Sequence, residues 1–340
     1  MATLTDVARR AGVSPATASR ILSGSNKPVS EHLRTRVLLA AEALQYVPNV
    51  HAQQLARAQP TAVGVIVHDV SDPYFAEITR GLQRVATDAG RLLFICNSYR
   101  EPEREREYVG LLHGHRTAAI VLAGSGHRDP KTARAIATRL KQYQKDGGRV
   151  AVIGRHLHTP GDAVLPDNEQ GGRLAGTELC RLGHHRIGVV AGPAGLTTTA
   201  DRLAGLRQAL RERGRTLPSK RIAYADFDRD SGARAAADLL DANPDLTALA
   251  VGNDTMAIGA LAVARERGLK IPEDLSIIGF DDMPIARDLV PALTTVRLPL
   301  TEIGAAAMRL ALAPPSDGPR TVTVEATLIR RASTAPPPTA

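Results

Sequence analysis

The sequence predicts a small all-helical segment joined to an α/β region built as two lobes, each a parallel sheet covered by helices. Three observations lead there. Short 3.6-residue apolar patterns fill the first sixty positions, while strand-like apolar runs alternate with helical stretches from about residue 61 onward. The 340 residues also exceed the ~100–200 of one ordinary domain.

The helical segment reads in order. Leu4, Val7, Ala8 and Ala11 form one apolar stripe, Thr3 and Asp6 make a capping box, and Gly12 ends the helix. Ser14 caps the next helix and Pro15 fits its first turn; Ala18, Ile21 and Leu22 point inward. Pro15, Ala16, Thr17, Ser19 and Arg20 are left on or near the open side, an array of short side chains and one long fork able to reach base edges and phosphates. A third helix after Ser30 turns Leu33, Val37, Ala40, Ala41 and Leu44 inward. Helix-turn-helix geometry also occurs in proteins that never touch nucleic acid, so spacing alone leaves the purpose open. Charge favours a polyanion: the chain has a formal net charge of +8, and residues 1–60 hold seven Lys and Arg against three acids, or +4.

Asn49 can cap a helix after Pro48, but the helix it could start, Asn49 to Ala56, is only about two turns, below the ~12–15 residues at which an isolated helix becomes marginal. Something else must hold that helix.

Beyond residue 61, buried strands are expected at Val63 to Val67, Leu92 to Cys96, Ala119 to Leu122, Val150 to Ile153, Ile187 to Val190, Ile222 to Tyr224, Ala248 to Val251 and Ser276 to Phe280. Helices are expected at Tyr74 to Ala89, Gly171 to Leu182, Arg202 to Arg213, Ser231 to Asp241 and Asp254 to Arg267. The chain should cross between lobes more than once. The first lobe takes about 61–160 and 290–320, the second about 161–289 and 321–331, and residues 332–340 form a disordered tail. Such lobes bind ligands beyond the carboxyl ends of their strands. Asp69 to Phe75, Asn97 and Ser98, Gly124 and Ser125, Arg155, Asp167 and Asn168, Arg202, Phe227, Asn253 and Asp254, and Asp281 and Asp282 fall at such ends or at the helix starts that follow.

Catalytic and metal chemistry find no foothold. There is no G-x-x-x-x-G-K-[ST] loop, and Ala123 breaks the G-x-S-x-G spacing around Ser125. Asp281 and Asp282 are neighbours on a strand and point to opposite faces; His184 and His185 are likewise adjacent, with Gly183 as a helix stop. Cys96 and Cys180 read as separate buried thiols. No apolar run reaches the ~20 residues of a membrane span and no signal peptide is evident, so a cytoplasmic protein is expected.

Several segments carry a family resemblance. Leu4, Asp6-Val7-Ala8, Ala11-Gly12-Val13-Ser14, Thr17, Ser19-Arg20, Val29-Ser30, Tyr46-x-Pro48-Asn49 and Ala52-x-x-Leu55-Ala56 resemble the headpiece of the LacI/GalR family of bacterial transcription repressors. The resemblance continues through Arg202 in DRLAGL, Asn253-Asp254 in GNDTMAIGA, Asp281-Asp282 in IIGFDD, and Pro291 to Thr295, and so covers nearly the whole chain. It implies a helix-turn-helix headpiece over 1–48, a hinge helix and linker over 49–60, and a sensor over 61–331 that is similar to periplasmic sugar-binding proteins.

By that resemblance Pro15 and Ala16 read bases, and Ser14, Thr17, Ser19 and Arg20 divide between phosphates and base edges, with Thr3, Asn26, Tyr46, Asn49, His51 and Ala52 also at the DNA. Leu55 would be a minor-groove wedge from the hinge helix, the alternative being that it packs on the following domain. In the sensor, Arg202 and Asp281 would grip ligand hydroxyls beside Asn253, with Phe75 and Phe227 as aromatic walls and Asp72, Ser98, Ser125 and Arg155 nearby. The implied protein is a dimeric repressor on a palindromic operator, governed by a sugar or sugar derivative, with no cofactor. A periplasmic-type binding or transport protein and a cytosolic sugar-processing enzyme are the competing readings; the basic headpiece opposes the first and the missing nucleophile, phosphate loop and metal site the second.

Overall fold

The computed structural model describes residues 2–22, 29–47 and 62–338, which belong to two compact units, Met1–Thr61 and Ala62–Ala340. Each unit is described by itself. The hinge helix of 49–60 lies outside the described residues, as do Asn26, Asn49, His51, Ala52 and Leu55.

The first unit packs α1 (Leu4–Ala11), α2 (Pro15–Leu22) and α3 (Glu31–Ala43) around Val7, Ala8, Ala11, Ala18, Ile21, Val37, Ala40 and Ala41. The capping box forms as its residues dictate: the Asp6 backbone N–H donates to the Thr3 hydroxyl at 3.3 Å and the Thr3 N–H to the Asp6 carboxylate at 3.0 Å. Gly12 takes φ +63°, and the turn is fastened by the Arg36 guanidinium donating to the Ala11 carbonyl. Ser14 accepts from Thr17 N at 3.1 Å, capping α2, and Ser30 caps α3.

In the second unit one sheet has the order β11–β5–β4–β3–β1–β2, formed by Thr321–Val324, Asp162–Pro166, Arg149–Ile153, Ala119–Ala123, Ala62–Val67 and Leu92–Asn97. All its pairings are parallel. The other has the order β12–β10–β9–β8–β6–β7, formed by Thr327–Ile329, Thr294–Arg297, Ser276–Asp281, Ala248–Val251, Ile187–Ala191 and Ile222–Tyr224. Only β12 runs antiparallel there. The helices are α4 (Pro73–Asp88), α5 (Pro102–Gly114), α6 (Pro130–Lys145), α7 (Asn168–Arg181), α8 (Thr197–Arg211), α9 (Arg229–Ala242), α10 (Asp254–Glu266) and α11 (Leu300–Leu312). No helix of the described residues is long and apolar enough to cross a membrane.

The three crossings between lobes fall at 166–168, 297–300 and 324–327, which corrects the expected partition. β5 belongs to the first sheet, pairing with β4, rather than the second lobe. β10 pairs with β9 in the second sheet rather than returning to the first, and β11 pairs with β5 in the first rather than the second. Alternating patterns fix that a segment is a strand; which sheet it joins depends on long-range partners that local sequence does not encode. α11 does return to the first lobe, packing on α4. The tail over 332–338 is also ordered. Ser333 is fully buried, its hydroxyl donating to Ile277 O at 2.6 Å and accepting from Thr294 N at 2.8 Å, while Ala335 N donates to the Ser276 hydroxyl at 3.0 Å.

His184 and Asp282 are used structurally. His184 is buried between the Thr247 hydroxyl at 2.9 Å and the Ala335 carbonyl at 2.8 Å, which seats the tail. Cys180 is buried as expected, whereas Cys96 on the outer strand β2 is only half-buried; both are free.

Helix pairs touch through glycines. A Cβ at Gly172 of α7 would stand 2.0 Å from Arg202 O, and one at Gly205 of α8 1.8 Å from Glu169 O. α4 and α11 repeat the device, with Gly81 against Thr301 O at 1.9 Å and Gly304 against Ile78 O at 2.0 Å. A methyl at such a contact must push backbone aside, an overpacking cost of about 1–3 kcal/mol. Gly205→Ala is therefore expected to lower the thermal midpoint of the sensor by several degrees, read by calorimetry; an unchanged midpoint would show that α7 and α8 can part freely.

Candidate functional site

On the first unit, Ser14, Pro15, Ala16 and Arg20 are exposed along α2, with Thr17 and Ser19 half-buried beside them. An α-helix with its side chains is about 10–12 Å across, which suits the ~12 Å width of a major groove. Ser14 and Thr17 hydroxyls lie 2.9 Å apart, so these two groups orient each other. Thr3 is exposed but its hydroxyl donates to Asp6 at 2.7 Å, and Tyr46 packs half-buried against the three-helix core. Both serve the local fold first.

In the second unit, Asp72, Phe75, Ser125, Arg202, Phe227, Asn253 and Asp281 line one cavity between the lobes. Its centre is Arg202, on the second turn of α8. That helix starts at Thr197 rather than at the expected Arg202; the run TTTAD over 197–201 carries no apolar stripe from which its first turn could be read. The Arg202 guanidinium donates to Asn168 Oδ1 at 2.9 Å, to the Gly252 carbonyl and to Asp281 Oδ1 at 3.0 Å, and its carbon lies 3.6 Å from the centroid of the Phe280 ring. A planar fork with its donors used in three directions has one orientation.

Asp281 pairs with Arg202, whereas Asp282 turns away to Arg297 and Arg331, both at 2.6 Å. Both aspartates take positive φ, +103° and +53°, as does Phe227 at +65°. Left-handed backbone at non-glycine residues costs of order 1–3 kcal/mol and clusters where side chains must be aimed. Phe227 lies over Gly192, where a Cβ would come within 2.1 Å of its ring. Asn253 caps α10 by accepting from Met256 N at 2.8 Å and donates to Phe227 O at 3.1 Å.

Burial sets the protonation of the acids. Asp72, the cap of α4, is pushed up to about 6 by burial, with the charge of Asp281 adding and Arg100 opposing. Asp281 is raised by burial against the pull of Arg202. Asp254, behind Asp281, is pushed to about 8 by burial and by Asp281, although the Thr295 hydroxyl donates to it at 2.6 Å and Met283 N at 2.7 Å.

Two expected residues stand elsewhere. Ser98 is buried, its hydroxyl donating to Val67 O at 3.1 Å, and ties β2 to β1. Arg155 lies at the cleft edge, donating through Nε to Asp201 at 3.2 Å, and does not line the cavity. Tyr74 and Gly124, from the strand-end segments named above, line it too, and His68, Arg100, Leu196 and Thr198 line it without having been anticipated. His68 immediately follows β1, so the strand-end rule applied one residue earlier would have found it. Glu105 anchors it: burial raises this carboxyl, but His127 Nε2 at 3.2 Å and His68 Nε2 at 3.4 Å outweigh burial and hold it at about 2.

Loops from the two lobes also meet beside the cavity. Arg128 N donates to Gly195 O at 2.8 Å, Thr197 N to Gly126 O at 2.9 Å, Thr198 N to the Ser125 hydroxyl at 2.9 Å and the Thr197 hydroxyl to Arg155 O at 2.8 Å. With the Arg155–Asp201 pair these form a clasp across the cleft. The cavity is about 40 Å³, against the ~300–1,000 Å³ of small-molecule sites, so a sugar-sized occupant needs more room than this arrangement of the lobes gives.

A helix-turn-helix unit with an open recognition helix, followed by a two-lobed sensor with a polar inter-lobe site, defines the class of ligand-sensing DNA-binding regulators. Residues 3–49 match the family description "Bacterial regulatory proteins, lacI family", and residues 177–334 match "Periplasmic binding protein-like domain". Across 343 residues the chain is 36% identical to the HTH-type transcriptional regulator GalR of Escherichia coli (strain K12), covering 99% of this chain and 97% of that protein. Its fold is similar to the lac repressor dimer bound to operator and the anti-inducer ONPF, with a TM-score of 0.86 at 27% identity over 98% of this chain and 99% of that one. It is also similar to the transcriptional regulator CelR–cellobiose complex, with a TM-score of 0.73 at 30% identity over 98% and 100%. The chain belongs to the lacI family of bacterial regulatory proteins, and is a transcription regulator rather than an enzyme.

Because Asp254 is raised in the folded state from its ordinary 3.8 to about 8, folding favours its protonated form. That stabilisation is complete below about pH 4 and is lost as pH rises through about 8. Asp254→Asn stays neutral, so its thermal midpoint should gain on the native chain progressively from pH 5 to pH 8. A difference that does not change with pH would show that Asp254 is ionised in the fold.

Proposed function

We propose that this regulator is a dimeric repressor that binds a palindromic operator through paired headpieces and answers to a small sugar-like effector bound between the sensor lobes, in the cytoplasm. The observation that carries this reading is the inter-lobe cavity, where Arg202, Asp281, Asn253 and Ser125 supply directional polar groups and Phe75 and Phe227 supply aromatic faces. Vicinal hydroxyls match such forks, and an apolar sugar face matches the rings. Since the clasped cleft is too small for a sugar, the effector binds the open and closed arrangements unequally, which is the requirement for coupling to DNA affinity. Headpiece contacts would be the predicted residues Ser14, Pro15, Ala16, Thr17, Ser19 and Arg20, with Leu55 as the wedge.

A second copy has a surface to meet. β2 is an outer strand of its sheet, and Leu92, Phe94 and Ile95 on it are 63%, 43% and 45% exposed. An exposed apolar edge strand is an aggregation hazard unless something covers it, and a second copy of the chain does so symmetrically.

The test pairs a thermal-shift screen against cellobiose, ribose and other sugars and sugar acids with gel shifts on palindromic duplexes. A binding sugar should raise apparent stability by about 2.7 kcal/mol at a hundred times its Kd. Asp281→Asn, which keeps an acceptor for Arg202, should weaken that sugar about tenfold. Absence of palindrome-specific binding at every salt concentration, with and without sugars, would refute the reading.

A further inference from the structure

We propose that α6 of the sensor is a second, sequence-independent contact for the phosphate backbone of duplex DNA. The helix carries Lys131, Arg134, Arg139, Lys141 and Lys145 and no acid. At 100° per residue, Lys131, Arg134, Lys141 and Lys145 fall within an arc of roughly 80°, with Arg139 on its flank. The opposite face, Ala133, Ile136, Ala137, Leu140 and Tyr143, is buried in the lobe, so the basic stripe is held rigidly toward solvent. All five cations are exposed, and none forms an ion pair among the described residues.

Most of the surrounding acids are committed to other groups, Glu107 on α5 being the exposed exception. Asp129 accepts from Thr132 N at 2.8 Å as the helix cap, and Asp146 pairs with His113 at 3.0 Å. On the adjoining α5, Glu101 and Glu103 pair with Arg104 and Arg106, and Glu105 is buried against two histidines.

The distribution of charge argues against an ordinary solvated face. Of the formal +8, residues 1–60 hold +4 and α6 holds +5, leaving the remainder of the chain at −1. A soluble coat intersperses both signs; here the excess is confined to the headpiece and one sensor helix. The stripe from Lys131 to Lys145 is about 21 Å long, comparable to some six base-pair steps of ~3.4 Å. A rigid line of cations suits a rigid line of regularly spaced anions, and DNA is the polyanion a lacI-family regulator meets. The inference rests on that DNA-binding role and extends it from the headpiece to the sensor.

The experiment titrates the full chain against a non-palindromic duplex of about 40 base pairs by fluorescence anisotropy, between about 50 and 200 mM salt. It is repeated with Lys131→Gln, Arg134→Gln, Lys141→Gln and Lys145→Gln combined, and with the three lysines changed to Arg. Each lost phosphate contact reduces the slope of log K against log salt by about 0.9. The Gln form should therefore lose about 2 to 4 in slope and more than tenfold in affinity at low salt, while the Arg form keeps the native slope. Circular dichroism and the thermal midpoint establish that each form is folded. Equal slopes for native and Gln forms overturn the inference alone; no binding by either at about 50 mM overturns the DNA-binding role with it. A glutamate-rich peptide that binds native but not Gln protein, with the DNA slope unchanged, would assign the stripe to an acidic protein partner instead.

Discussion

The sensor's second lobe depends on how the Arg202 guanidinium is used. One side chain binds the start of α7 through Asn168, the end of β8 through the Gly252 carbonyl and the end of β9 through Asp281, while lying on the Phe280 ring. Burying such a charge is unfavourable unless its partners are in place, and removing one partner leaves the others exposed to the full cost of an unpaired group. The geometry is upheld from behind by Gly172, which lets the α8 backbone at Arg202 approach α7. Site and fold are therefore not separable here: the residue that presents itself to the cavity also fastens three elements together.

Much of this was legible from residue patterns, for identifiable reasons. The helices of the headpiece announce themselves through capping chemistry at Thr3, Gly12, Ser14 and Ser30, and local chemistry decides local structure. Strands of the sensor announce themselves as apolar runs, and the rule that ligands sit beyond strand ends led to most of the cavity's lining residues, from Asp72 to Asp281. What was not legible is what depends on distant partners. The assignment of β5, β10 and β11 to sheets turns on pairing across more than a hundred positions in the case of β11 and β5. Arg155 was expected near the cleft because it falls just after a strand end, yet Asp201 on α8 of the other lobe claims it. Ser98 was drawn away by a carbonyl of the neighbouring strand.

The two lobes are joined by two different means. The chain itself passes between them three times, and the clasp around Ser125, Arg128, Arg155 and Thr197 uses hydrogen bonds that water can replace. Covalent crossings suit a hinge, and a hydrogen-bonded clasp suits a door. Its net strength is set by a handful of contacts each worth about 1 kcal/mol, which is the scale on which a ligand can compete.

The seating of the tail has a practical bearing on how this protein can be handled. Residues 333 and 335 are bound to β9 and β10, the former carrying Asp281 at its end, and to His184 beneath the same lobe. Trimming the chain before Ala335, or joining an affinity tag or fluorescent partner directly at that point, would pull on the strand that aims the cavity's aspartate. A fusion is better attached beyond residue 338, with a flexible spacer, so that sensing and reporting do not share the same few hydrogen bonds.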